Sequence, residues 1–556
     1  MGNILSPSIN IYERDYSTTV PALPTTVTAL VGEFKWGPCN QIMSIGDDRE
    51  LVDLVGEPDD TNYASFFSAW NFLQYANALR LVRVINETTA KNAGLELADD
   101  TASGTTALAD LILNDEDADD YVPTFGADAK LQFFAKYPGA RGNDIKVAVA
   151  NATDFATANI VTGTTFASVF DYSPATGEIA VVVLVDDEIE ETYIVSLSAT
   201  ATDYEGNNNY VEQYINRRSS WILVYDDSSN TDIPDSIEAT ALTGGVGASP
   251  STSEVTAGYD LFDNAEETDI NMVIDGANTN VTVQQYIIDN ILETRKDCVG
   301  YLTVEKAAVV GVANISTAVA NCITYRSTTL ARSTSYAALY GNWKYQYDQY
   351  NDKYRWVPLS GDMAGITANL HYNRDPWFAP MGYNYGLLKN VSKLAFNPKR
   401  SHRDSLYRDF VNPVTKDRDA GFVVLGQKTL ESAPSSFSRL DVRWLFVTIE
   451  RAIGAAAKYF LGEKNTIFTR RQFVNVVSPY LRDVQGREGI EVSETGDDGF
   501  FVQCDETNNT DEVRARNEFV AEIYIRPTKT AEFIKIYFTN VKGSVSFEEV
   551  IKKTGA

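Results

Sequence analysis

Histidine is nearly absent. His371 and His402 are the only two in 556 residues. Neither lies in an HExxH pattern or beside a cysteine cluster, so a His-dependent triad or His metal site is not expected. Cysteine is also scarce. Cys39, Cys298, Cys322 and Cys504 stand far apart, which excludes a CxxC zinc ribbon and gives no disulfide framework. Scattered thiols fit assembly in a reducing cytoplasm. No run approaches the ~18 apolar residues of a spanning helix, and no basic-then-apolar leader is visible. Neither membrane insertion nor export is therefore expected. There is no Walker A loop for a nucleotide-driven motor. Gly244–Gly247 lacks dinucleotide-binding spacing and reads as linker. The start Met1–Ser6 matches a short myristoylation pattern, but so loose a pattern recurs by chance, and an extended arm is the plainer reading.

What is present is apolar and aromatic. Hydrophobic residues make up 44% of the chain, with 30 Tyr and 26 Phe, so the chain is globular rather than disordered. Its length implies about three or four domains. The net charge of −29 argues against direct nucleic-acid binding. That charge is unevenly spread. Residues 91–260 carry 29 acidic and 7 basic residues, whereas 389–482 carry 17 basic and 8 acidic. The first stretch is expected to face solvent and the second something negative.

Patterning predicts an arm over 1–22, then an α/β core formed by 23–86 joined with 258–430. An acidic, β-rich insertion occupies 87–257, open to division into two modules near 135. A C-terminal domain follows from 431 to 556. In the core, a strand around Thr25–Gly32, a helix over 64–79 and a strand over 81–85 precede the insertion. Strands are predicted at 145–149, 178–185, 192–196 and 221–225, with a Gly/Ser-rich exit linker at 244–253. Helices are predicted over 281–293 and 307–330, and a strand over 299–304. A long helix should start at a capping-box-like Ser438/Asp441 and stop at Gly462. Strands close the chain at 499–503, 519–525, 533–538 and 544–551.

Asp115–Asp120 reads as a solvated acidic loop rather than a calcium site, because the glycine and glutamate of a calcium loop are missing. The Tyr-rich run Tyr340–Tyr354 is interrupted by Asp348 and Asp352, which favours core or subunit-interface packing over base stacking. Two features remain. The terminal segments alternate like strands, with Ile9, Ile11 and Tyr12 at one end and Val545, Phe547 and Val550 at the other. Such strands either fold onto their own subunit or complete a neighbour's sheet. The second feature is basic: Arg439, Arg443, Arg451, Lys458, Lys464, Arg470 and Arg471. Each alone reads as a surface ion pair of little worth. As a group they form a candidate face for an acidic partner.

Several motifs, in order along nearly the whole chain, resemble the contractile tail sheath proteins of bacteriophages and related injection systems. They are Ser6–Arg14 (SPSINIYER), Ala29–Pro38 (ALVGEFKWGP), Leu79–Val84 (LRLVRV), Tyr137–Asn143 (YPGARGN) and Ala337–Tyr340 (AALY). Later come Val357–Gly365 (VPLSGDMAG), Phe422–Leu430 (FVVLGQKTL) and Ile525–Ile534 (IRPTKTAEFI). Leu359 stands where the family often has a second Pro, and Leu425–Thr429 (LGQKT) where it often has WGART. The resemblance implies a virion structural subunit assembled in the host cytoplasm, with no cofactor, no metal and no catalytic residue. It implies terminal strands exchanged between subunits in a helical stack of rings. It further implies a tail tube inside that stack, facing the basic group, and baseplate and terminator proteins at its ends. Contraction would switch between two packings without nucleotide hydrolysis. The alternatives are another structural polymer, such as a surface-layer or tube subunit, and an enzyme, for which no clustered acid, base or nucleophile appears.

Overall fold

A computed structural model describes residues 26–99, 104–203, 205–492, 499–532 and 534–536. The chain divides into two compact units, one ending at Leu461 and the other beginning at Gly462. A seven-stranded sheet organises the first. Its spatial order is Ile42–Ile45, Leu79–Arg83, Thr28–Gly32, Met272–Ile274, Val299–Thr303, Ala337–Tyr340, Val411–Asn412. Only the Ile42–Ile45 edge is antiparallel. Parallel strands covered on both faces need continuous apolar runs, which TALVG, MVI and AALY supply. Successive side chains take opposite faces. Ala29, Val31, Val273 and Leu339 enter one core; Leu30, Ile274, Tyr301 and Tyr340 enter the other. Thr252–Asp260, Val281–Tyr286 and Ile315–Thr324 cover the first face. Asp48–Val55, Tyr63–Leu73, Ser360–Asn373 and Leu440–Ala457 cover the second. The strand order reverses between Thr28–Gly32 and Met272–Ile274. Asp275 follows that reversal; it is fully buried and accepts hydrogen bonds from the Thr303 amide (2.8 Å) and Gln284 Nε2 (2.7 Å).

The β-rich insertion sits in the connection after Leu79–Arg83. It has two four-stranded antiparallel sheets. One runs Glu188–Ser196, Glu178–Val185, Ile145–Asn151, Ile237–Ala241; the other Ile222–Asp226, Ala129–Ala135, Asn92–Ala98, Thr105–Asp110. A division near 135 does not occur. Ile222–Asp226 returns to pair with Ala129–Ala135, and both sheets feed one core through Leu95, Phe133, Val147, Val181 and Val224. Nor is 244–253 a free linker. Lys91 and Val246 exchange backbone bonds and Asn86 N reaches Ala248 O, so the exit is zipped to the entry. Gly245 permits this: a Cβ there would lie 2.7 Å from Gly139 O.

The insertion is locked to the sheet. Buried Arg83 donates to Phe34 O (2.9 Å), Gly37 O (2.6 Å) and Pro138 O (2.6 Å). A buried guanidinium without a carboxylate partner is costly unless its donors are satisfied, and these carbonyls satisfy it. Trp36 packs between Tyr137 (5.4 Å) and Trp221 (5.3 Å).

Other boundaries shift for local reasons. The expected 64–79 helix is Tyr63–Leu73, since the chain must turn before the Leu79–Arg83 strand. The expected 307–330 helix is broken at Gly311 (φ 79°), and Asn314 caps a new helix at Ile315 by accepting from Thr317 N (2.9 Å). Asp115–Asp120 is a short helix capped by Asn114 rather than a loop. The Ser438/Asp441 box does not form. Ser438 ends a 3-10 turn, and Asp441 Oδ1 accepts from Val442 N instead. Leu440–Ala457 packs into the first unit, whose core takes up Leu440, Trp444 and Val447, and the second compact unit begins at Gly462.

In the second unit, Ile467–Gly486 buries Phe473, Val477, Leu481 and Val484, a one-face spacing. Phe500–Gln503 and Glu522–Ile525 form a two-stranded antiparallel sheet. Residues 534–536 are not in a strand; the rest of the expected 533–538 and 544–551 strands lies outside the described residues.

Candidate assembly surfaces

The structure divides the seven basic candidates between the units and between two tasks. Arg443 is 4% exposed. Its guanidinium lies over Tyr336 (4.5 Å) and Phe437 (4.6 Å) and pairs with Glu450 at 3.4 Å. Arg470 is 3% exposed and donates to Asn465 Oδ1 (2.8 Å). These two are withdrawn from the outward-facing group, because their heads are used inside the fold. Arg451, half-buried, is bound to Asp269 and Ile270 O. Arg439, also half-buried, donates to the Tyr407 hydroxyl. Lys458 in the first unit, and Lys464 and Arg471 in the second, are exposed. Arg482, which sequence reasoning passed over, is exposed on the same helix as Arg471. Phe468, 77% exposed, lies one turn before Arg471. A helix pattern would have found both, since 468, 471, 475, 479 and 482 share its outward face.

Ile9, Ile11, Tyr12, Val545, Phe547 and Val550 lie outside the described residues. What is described nearby in sequence is a small sheet in the second unit. Among the described residues, neither edge of the Phe500–Gln503/Glu522–Ile525 pair has a further partner strand. Phe501 and Tyr524 sit opposite each other, 59% and 55% exposed, with rings 6.2 Å apart. An isolated two-stranded sheet is marginal in water, and open edges present unpaired backbone groups.

Buried ionisable groups serve packing. Lys344 Nζ meets Asp362 Oδ2 at 2.8 Å, both nearly inaccessible. Burial lowers the Lys344 pKa and raises that of Asp362. Lys130 and Asp226 form a second such pair at 2.8 Å. Burial pushes the Asp275 carboxyl up to about 7. The four cysteines are buried and free. Among the described residues no cluster of three or more His, Cys, Asp or Glu is placed to hold a metal, and no helix is long and apolar enough to cross a membrane.

Comparison with known proteins gives the same direction along the whole chain. Residues 25–84 match the N-terminal region of domain III of the tail sheath protein Gp18, 255–430 the phage tail sheath central domain, and 432–541 the phage tail sheath C-terminal domain. The chain is 31% identical to the tail sheath protein of Vibrio phage KVP40, over 99% of this chain and 100% of that one. It is 30% identical to that of Enterobacteria phage T4, again over 99% and 100%. Among solved structures, the sheath tail protein of Desulfitobacterium hafniense superposes with a TM-score of 0.54 at 13% identity, covering 90% of this chain and 93% of that one. The contracted helical sheath of the anti-feeding prophage gives 0.53 at 14% identity, covering 96% and 99%. At those identities the structural likeness concerns the fold. With its full-length relatives at 30% identity and above, the chain belongs to the phage tail sheath protein family.

Proposed function

We propose that the chain is a structural subunit of a contractile phage tail sheath, without enzymatic activity. Copies stack as helical rings around a tail tube between baseplate and terminator proteins, and contraction drives the tube through the host envelope. Assembly takes place in the host cytoplasm, and the product is part of the virion. Full-length relation to two phage tail sheath proteins carries this reading. The work of contraction comes from a change between two packings of nearly rigid subunits. The clamp of Arg83 and Trp36 supports rigidity within the first unit, since it fixes the insertion to the sheet.

The terminal strands, with Ile9, Ile11, Tyr12, Val545, Phe547 and Val550, complete the open-edged sheet of neighbouring copies. The absence of a further partner strand on either edge among the described residues supports that assignment. Lys458, Lys464 and Arg471 meet an acidic tube through solvent-screened contacts, which release without a large barrier.

Electron microscopy of the purified chain, alone and with the tube protein, tests the reading. Hollow striated tubes are expected. A chain lacking residues 1–14 should remain folded and fail to polymerise; undiminished polymerisation would overturn strand exchange.

A further inference from the structure

The two edges of the seven-stranded sheet carry opposite charge. At one edge lies Ile42–Ile45. The helix Asp48–Val55 follows it directly, and its Leu51 and Val55 share a core with Met43 and Ile45 of that strand. Residues 47–60 carry 7 acidic residues and 1 basic. Some of these carboxylates are engaged. Asp47 caps the helix, Glu50 accepts from the Gly46 amide (2.6 Å), and Asp60 pairs with Lys353 and Arg355. Asp53 and Glu57 are exposed and Asp48 is half-buried; none of the three makes an ion pair among the described residues, and neither does Arg49. At the other edge lies Val411–Asn412, entered from the helix Arg400–Arg408. Leu406 of this helix joins Val411 in the core of the opposite face. Residues 399–408 carry 4 basic residues and 1 acidic. Arg403 is half-buried and donates to Pro398 O (3.3 Å). Lys399, Arg400 and Arg408 are exposed; like Asp404 between them, they make no ion pair and no ring contact among the described residues. Two more cations, Arg326 (5.2 Å) and Lys428 (4.7 Å), lie over the ring of Phe410 just beyond the helix, and Asp409 beside it acts on Arg326.

Charge on a sheet edge ordinarily keeps copies apart. That device needs the same sign on both edges, because opposite signs attract a second copy instead of repelling it. Nor do these edges neutralise each other within one chain. Steps of about 4.8 Å across seven strands separate them by roughly 29 Å, well beyond the ~8 Å screening length at physiological salt. We propose that the basic edge of one copy docks on the acidic edge of the next, with Lys399, Arg400 and Arg408 facing Asp48, Asp53 and Glu57. The signs select this occupant from both sides, since each edge carries uncommitted charges that the other complements. Contact between two different surfaces of identical subunits is heterologous, the kind that generates open helical arrays. Exposed ion pairs of this sort are individually weak and screened by salt, so they set partner and register more than they supply affinity. The inference rests on the sheath reading above.

Two charge-reversed chains test it. Arg400→Glu with Arg408→Glu reverses the exposed arginines of the basic edge, and Asp53→Lys with Glu57→Lys reverses the exposed carboxylates of the acidic one. All four positions are exposed, so subunit melting should be unchanged. Each chain alone should need about tenfold or more of the parent's concentration to polymerise. An equal mixture of the two should polymerise near the parent's concentration, because the reversed edge of each now complements the reversed edge of the other. Should either chain melt early, carbodiimide treatment of the parent replaces it as the readout. Peptide mapping should then find Lys399 joined to Asp48, Asp53 or Glu57 in polymer and not in dispersed subunits; absence of those links overturns the inference. Reversed chains that polymerise like the parent overturn this inference alone. So does a mixture no better than its parts, which would show that the edges meet another partner such as the tube. A parent chain that forms no polymer, alone or on a tube, overturns the sheath reading and the inference with it.

Discussion

The two sheets that anchor the two units solve the same problem in opposite ways. The seven-stranded sheet has both faces covered by its own helices, so that Leu30, Val31, Ile274 and Leu339 are completely inaccessible. Among the described residues, the Phe500–Gln503/Glu522–Ile525 pair has two strands, no further partner strand on either edge and an aromatic pair more than half exposed. The first sheet completes its hydrogen bonds and apolar burial within one chain. The second, among the described residues, leaves part of both incomplete. The strand exchange proposed above would give the two sheets different work: the first keeps the shape of the body, and the second joins it to its neighbours.

The contrast is tested most strongly in the core. Trp444 is fully buried, donates from Nε1 to the Tyr301 hydroxyl (3.0 Å) and packs edge-on against His371 at 4.6 Å. Trp444→Ala should destabilise the first unit by about 3–5 kcal/mol, through a cavity and a lost hydrogen bond. Chemical denaturation followed by circular dichroism would show it. A loss under ~1 kcal/mol would mean the helix Leu440–Ala457 is not integral to this core.

A smaller effect is expected at Asp275, and it depends on pH. Burial holds this carboxyl up to about 7, above its unfolded value of 3.8. The native state therefore keeps a proton that the unfolded chain has lost. This stabilisation is complete below about pH 4 and disappears as pH rises through about 7. Asp226 and Asp362 are shifted the same way, so only a variant isolates Asp275. Asp275→Asn should differ little from the parent below about pH 4 and gain on it as pH rises towards 7, by up to about 1.4 kcal/mol per pH unit. A pH-independent difference would show that packing, not ionisation, governs the site.

How far the sequence discloses these regions follows from the physics of each. TALVG and AALY announce buried strands because a parallel sheet demands unbroken apolar runs. The helix ends near 73 and 310 were misplaced because they are set by a turn the sheet imposes and by Gly311 in the left-handed region. The single core of the insertion was hidden because Ile222–Asp226 pairs with Ala129–Ala135 across about ninety residues of sequence, which no local pattern records. Arg443 and Arg470 look like surface cations in sequence; only Tyr336, Phe437 and Asn465, brought close by folding, make their burial possible. The exposed Lys458, Lys464 and Arg471 were legible as charge but not as a subset of it.

The smallest effect on the subunit is expected at the open sheet. Phe501 and Tyr524 are a cross-strand pair on its exposed face, and such pairs contribute roughly 0.2–1 kcal/mol. Replacing both by Ser should therefore move the thermal midpoint of the isolated subunit by only a few degrees. If neighbouring strands complete this sheet, the same rings become packed in the polymer, and their loss is repeated at every subunit along it. Pelleting should then show a polymer that forms only at several-fold higher concentration, although the subunit is nearly unchanged. Trp444→Ala should give the opposite pattern, a weakened subunit whose surviving folded fraction still joins. Should Ser at 501 and 524 instead unfold the second unit and leave assembly of the remainder intact, the open sheet would belong with the closed one, as a device of the fold and not of the lattice.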